Sequence, residues 1–188
     1  MNIQPIYKFN PILKLHINNS YNIQSQLDQY MPIKWQLLLM NNGSFTQNLN
    51  TLLVTNIKID MCQKYNLIPN KSLTNIRLVW LKKNIQDKFT FAHSIWRFDQ
   101  SYNQQTNLLT NKPVGQSFID NEIDLHKDFQ EIYYGYCYYL EKQFKSSEPI
   151  WARKYKVCYN NNSYAIIEEF FSPQLIHCFN VNDKLINQ

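Results

Sequence analysis

One segment, Asn75-Ile-Arg-Leu-Val-Trp-Leu81, constrains this chain more than any other. Strand periodicity puts Ile76, Leu78 and Trp80 on one face and Arg77, Val79 and Leu81 on the other. Both faces are largely apolar, so the segment reads as a strand buried in a sheet. Arginine is almost never fully buried without a partner. Two readings therefore fit Arg77. Either its stem lies along apolar surface with the head in water, or its planar fork is held inside to grip a carboxylate through paired hydrogen bonds.

The pattern recurs twice near the C-terminus. In Trp151-Ala-Arg-Lys-Tyr-Lys-Val-Cys-Tyr159, one face carries Trp151, Arg153, Tyr155, Val157 and Tyr159. Lys154 and Lys156 mark the other face as wet. In Tyr164-Ala-Ile-Ile-Glu-Glu-Phe-Phe171, Glu169 aligns with Ala165, Ile167 and Phe171, and Glu168 with Tyr164, Ile166 and Phe170. One of these adjacent carboxylates must point away from solvent, which is costly unless it is paired or protonated. A Glu–Arg bridge that serves only the structure is one outcome. A pocket for a small acid, built from Arg77, Arg153 and Glu169, is the other.

The remaining pattern supplies the frame. The first third reads helical: Ile23 to Tyr30, limited by Pro32; Lys34 to Met40; and a helix N-capped by Ser44 that runs through Leu53 after the Asn41-Asn42-Gly43 break. Strands follow at Asn56 to Lys64, Asn75 to Lys82 and Lys88 to Phe98, the last two an antiparallel hairpin. Residues 99 to 122 are a polar connection containing the tight Pro113-Val-Gly115. Phe129 to Tyr139 reads as a further strand, and residues 151–159 and 164–171 as a closing hairpin around Asn160-Asn-Asn162. Helices first and a mainly antiparallel sheet afterwards define an α+β chain. At 188 residues it is expected to be one domain with a full core.

Composition excludes several classes. There are only 3 glycines, against roughly two dozen asparagines, which reads as the bias of an AT-rich, organelle-type genome. The net charge is +5 and the lysines are scattered, with no stripe of the kind nucleic-acid binders use. Four isolated cysteines and four isolated histidines lack metal-ligand spacing, so reduced structural thiols and no metal are expected. His93, in line with Phe91 and Ile95, reads as a satisfied core or groove histidine. The cluster Tyr133-Tyr-Gly-Tyr136-Cys-Tyr-Tyr139 reads as packed sheet. The N-terminus has no signal-peptide pattern, no apolar run reaches membrane-spanning length, and no nucleotide or hydrolase motif occurs.

Taken in order, Trp35-Gln-Leu-Leu-Leu39, Gly43-Ser-Phe-Thr46, Ile76-Arg-Leu78, Pro113-Val-Gly115, Trp151-Ala-Arg153 and Glu168-Glu-Phe-Phe-Ser-Pro173 resemble the chorismate lyase family, in its cyanobacterial and plastid-encoded form. The resemblance spans roughly residues 30 to 175. It implies a six-stranded antiparallel sheet with a ligand buried under helical flaps, here Asn41–Leu53 and the 104–122 connection. It implies conversion of chorismate to 4-hydroxybenzoate and pyruvate without metal or cofactor. The family's ligand-binding Arg falls on Arg77 and its essential Glu on Glu169. Phe45 and Val114 stand where the family usually has Met and often Leu, both among the residues expected to bind substrate: if they act through backbone N–H groups the change of side chain matters little, and if Met packing shapes the pocket it alters specificity. A second family Arg falls near Ser94, where this chain has none.

These residues suggest a division of labour. Arg77 takes the ring carboxylate, Glu169 sits at the C4 hydroxyl and the ether, and Arg153 supports the site or helps hold the pyruvyl carboxylate. The resemblance implies a monomer working in the plastid stroma, alternatively the cytoplasm, to supply a quinone head group. The competing reading is a non-enzymatic sensor for small aromatic acids, because effector-binding domains of bacterial regulators share this fold. Residues 1 to 30 are too short and irregular for the DNA-binding helix-turn-helix such regulators carry. A third reading, weak RNA binding, rests on charge and tyrosines alone.

Overall fold

Seven alternating segments pair into one antiparallel sheet in the computed structural model, which describes residues 8–17, 23–68, 72–99, 126–159 and 162–179. The strands are β1 (Asn10–His16), β2 (Lys58–Ile68), β3 (Ser72–Lys82), β4 (Lys88–Asp99), β5 (His126–Tyr136), β6 (Ile150–Tyr159) and β7 (Asn162–Phe171). They lie in the order β1-β5-β6-β7-β4-β3-β2. Three helices, α1 (Ile23–Tyr30), α2 (Ile33–Leu39) and α3 (Phe45–Leu53), precede β2. A fourth, α4 (Tyr138–Phe144), joins β5 to β6, and a 3₁₀ helix (Pro173–Phe179) follows β7.

Local chemistry explains the helices. α1 ends at Tyr30, ahead of Pro32, which stands at the N-cap of α2. Ser44 caps α3, its hydroxyl oxygen accepting the Gln47 N–H at 3.4 Å. Trp35, Leu38 and Leu39 of α2 and Phe45 and Leu49 of α3 turn toward the sheet and are buried. They pack with Leu81, Ile132, Trp151, Phe171 and Leu175 in the main core on one sheet face. The other face has its own core, in which Leu140 and Phe144 of α4 cover Phe91, Ile150, Ala152 and Phe170.

Three expectations need correction. The sheet has seven strands among the described residues, not six. The additional one is β1, in the stretch expected to be helical or irregular. It is an edge strand, the place in a sheet where a proline such as Pro11 is tolerated, and its register slips between Pro11 and Leu13. Gly135 makes this docking possible: a Cβ there would stand 2.3 Å from the Asn10 carbonyl oxygen. The aromatic strand stops at Tyr136 and does not reach Tyr139. Cys137 remains extended (φ −147°, ψ 104°) and its carbonyl accepts the Glu141 N–H, which starts α4. The spacing of Leu140 and Phe144, four apart around Glu141, Lys142 and Gln143, carries that helical signal. The four cysteines are free.

Candidate active site

Strand register builds the site in two neighbouring rows on one face. Met61, Val79, Ala92, Glu169, Arg153, Ile132 and Leu15 form the first, running across all seven strands. Gln63, Arg77, Ser94, Ile167, Tyr155 and Phe129 form the second. Arg77 and Glu169 thus share a face on adjacent rows. Both line a cavity of about 810 Å³ between the sheet and the loop that enters α3. Its other walls include Asn42 to Gln47, Ile57, Ile59, Val79, Leu81, Ala92, Trp96, Lys127, Val157 and Ile167.

Burial is nearly complete for the three charged residues singled out from sequence. Arg77 is 1% exposed, Arg153 0% and Glu169 8%. The Arg77 guanidinium lies 5.8 Å from the Trp96 ring and hydrogen-bonds Tyr65. Burial pulls its pKa down, and the charge and hydrogen bond of Tyr65 oppose that shift. Ser94 lies directly opposite Arg77 and accepts the Trp96 indole N–H at 2.9 Å.

Arg153 is committed on two sides. Its Nε donates to Glu169 Oε2 at 2.6 Å. Its Nη1 donates to the carbonyls of Leu38, Leu39 and Asn41 at 3.3, 2.7 and 3.1 Å. These lie at the C-terminal end of α2, where carbonyls lack helical partners and a cation is favoured. The rings of Phe45, Phe129, Tyr155 and Phe171 surround the guanidinium at 5.3 to 5.6 Å. One residue therefore ties the cavity-lining carboxylate to the helical layer above it.

Glu169 also hydrogen-bonds Tyr155. Burial first, then the negative charge of Glu169, push the Tyr155 phenol well above its ordinary range, so it remains protonated and donates. Phe45 opens α3 against the cavity, its ring edge-on to Phe171 with centroids 4.9 Å apart. Val114 and the expected 104–122 flap lie outside the described residues. Glu168 and His93 point to the opposite face, with His93 Nδ1 3.7 Å from Glu168 Oε2.

Lys127 is the site residue that periodicity missed. The β5–β6 register slips between Phe129 and Glu131, so Gln130 is an extra residue. Lys127 and Phe129 before the bulge then share the inward face with Ile132 and Tyr134 after it. Alternation continued without a break from the aromatic run would turn Lys127 outward with Glu131 and Tyr133. Bulges re-aim side chains in this way beside active sites. Lys127 Nζ donates to the Gly43 carbonyl at 2.7 Å and lies 5.2 Å from the Tyr155 ring centroid. Burial lowers its pKa to about 8, against the opposing charge of Glu169 and with help from Arg153.

No helix among the described residues is long and apolar enough to cross a membrane, and they contain no cluster of His, Cys, Asp and Glu that could hold a metal ion. An antiparallel sheet thus brings inward guanidinium and ammonium groups to one apolar-walled cavity. The family model described as "Chorismate pyruvate-lyase Rv2949c-like" matches residues 39–179, and the chain belongs to that family. It is 50% identical over 175 residues to "Uncharacterized protein ycf21" of Antithamnion sp., covering 93% of this chain and 96% of that one. The ycf21 proteins of Porphyra purpurea (34% identical; 77% of this chain, 84% of that one) and Cyanophora paradoxa (30% identical; 78% and 79%) are further relatives.

Proposed function

We propose that this protein is a chorismate pyruvate-lyase, acting in the plastid stroma as a single-domain monomer to supply 4-hydroxybenzoate for a plastoquinone-type quinone. One observation carries the reading: Arg77 and Glu169 project from the same sheet face into the same largely apolar cavity. Family membership supplies the reaction class, and the ycf designation shared by the relatives supports the compartment.

The chemistry asks little of the protein. The C3–O bond of chorismate breaks and the ring loses its C4 hydrogen. The departing enolpyruvate gains a proton at its methylene carbon and becomes pyruvate. Aromatisation supplies the driving force, so rate comes from orientation and from stabilising charge on the leaving oxygen. Arg77 binds the ring carboxylate as a fork, with the N-terminal N–H groups of α3 at Phe45, and the Val114 backbone, as further donors. Glu169, fixed by Arg153 and Tyr155, accepts the C4 hydroxyl hydrogen bond and sets the ring so that the C3 ether lies over the cavity floor. Arg153 acts through Glu169 and is a positioning residue. A planar acid buried under α3 leaves slowly, so product release limits turnover.

The direct test incubates purified protein with chorismate and follows 4-hydroxybenzoate absorbance together with enzymatic detection of pyruvate. Equimolar appearance of both is expected. Saturable binding of 4-hydroxybenzoate without turnover would leave the aromatic-acid sensor in its place.

A further inference from the structure

We propose that Lys127 holds the second carboxylate of the substrate, the one on the enolpyruvyl side chain, and thereby makes the cavity select a dianion over a monoanionic product. The proposal rests on the chorismate reading of the cavity and adds a residue to it.

Charge accounting leads there first. A dicarboxylate buried in an apolar-walled cavity needs a cation at each end. Among the described residues lining the cavity, the charged side chains are Arg77, Glu169 and Lys127. Arg153 does not line it. Its Nε is bound to Glu169 and its Nη1 to three backbone carbonyls, and its Nη2, which has no hydrogen-bond partner, is enclosed in a fully buried side chain that does not reach the cavity wall. Arg77 can serve one carboxylate. Lys127 is the cation left for the other.

Placement agrees. β5 and β3 are four strand steps apart, about 19 Å between Cα positions at ordinary strand spacing. Long side chains reach inward from both sides: Arg77 toward Trp96 on β4, Lys127 over Tyr155 on β6. The space between them lies over Ile167 and Glu169 of β7, where the ring would sit. The ammonium uses one of its three donors on Gly43, leaving two for a guest. It is also short of negative charge. The carboxylate facing it from β7, Glu169, is already bound by Arg153, while Arg153 itself adds positive charge and Tyr155 is neutral. A carboxylate guest supplies what the apo cavity lacks.

The test measures chorismate and 4-hydroxybenzoate side by side on wild type, Lys127→Met and Lys127→Arg. In Lys127→Met the chorismate KM and Kd should rise about 10- to 100-fold, the scale of a lost charge-assisted bond. The 4-hydroxybenzoate Kd should move by no more than about twofold, well inside the same scale. Lys127→Arg should recover most of the loss. The wild-type kcat/KM should fall as pH rises past about 8, the value at which Lys127 loses its proton, and Lys127→Arg should hold its activity to higher pH. Equal weakening of both acids, or an unchanged chorismate KM, overturns the proposal and leaves Lys127 as a tie to Gly43. If wild type binds chorismate without converting it, the lyase reading falls while the ratio of the two Kd values still decides Lys127. Failure of wild type to bind either acid overturns both. Lys127→Gln, which keeps a donor for Gly43, repeats the measurement should Lys127→Met not fold.

Discussion

Arg153 and Lys154 stand in direct register with Glu169 and Glu168 across β6 and β7, one pair on each face of the sheet. The inner pair is almost fully buried, 2.6 Å long, and locked to α2 and to Tyr155. The outer pair is loose: Lys154 Nζ lies 3.7 Å from Glu168 and 3.8 Å from Glu131, with a third of its side chain exposed. Successive residues of one strand thus supply two charge pairs that differ only in face. The outer one is part of a ladder with Lys14, Glu131, His93 and Tyr133 on a face that also carries the α4-covered core, so that face is not simply the wet one that Lys154 and Lys156 suggest from sequence. The inner one is worth little as an attraction, because desolvating both charges offsets most of the Coulomb gain. Its value is geometric. It holds a carboxylate still inside a cavity.

Breaking each pair should separate them. Arg153→Met strands a buried carboxylate and uncaps α2, and the unfolding free energy in urea should fall by about 3–5 kcal/mol. Lys154→Met should cost about 0–1 kcal/mol. Similar losses would mean that the faces do not differ as described. The next contrast is in activity. Glu169→Gln should lower kcat on chorismate about 10²- to 10³-fold, the usual size for removing one transition-state-stabilising group, yet still bind 4-hydroxybenzoate. Glu168→Gln, one residue away on the other face, should stay close to wild type. Near-normal turnover in Glu169→Gln would remove that carboxylate from the mechanism.

The smallest effect is a pH effect on the outer face. Burial raises the Glu131 pKa, but hydrogen bonds from Lys14 and Tyr133 and the charges of Lys14 and Lys154 outweigh it, and the net shift is downward. The folded carboxyl therefore gives up its proton more readily than the unfolded one. Its contribution is present above the ordinary Glu range, about 4.3, and disappears as pH falls through the folded value. Between pH 6 and 3, wild type should lose more stability than Glu131→Gln in acid-titrated thermal melts. Parallel curves would show that Glu131 plays no part in acid unfolding.

Arg77, Arg153 and Glu169 were legible because each lies in an unbroken run of alternation, where covalent geometry alone decides which side chains share a face. The α1 and α3 boundaries were legible for a related reason, since Pro32 and the Ser44 cap act within a turn of where they stand. Lys127 was not, because one extra residue at Gln130 inverts the parity of everything before it. β1 was not, because an edge strand at Asn10–His16 forms only once Gly135 leaves room for it.

By itself, then, the amino-acid order determined the first three helices, the strands of the central sheet and the inward face of three charged residues, all consequences of contacts a few residues apart. Only the tertiary structure decided what those charges meet: the α2 carbonyls more than 110 residues from Arg153, and the Gly43 carbonyl 84 residues from Lys127. The physical reason is that alternation is written in the backbone. The partner of a buried cation is chosen by the desolvation cost of leaving it alone, and that cost exists only after the chain has closed around it.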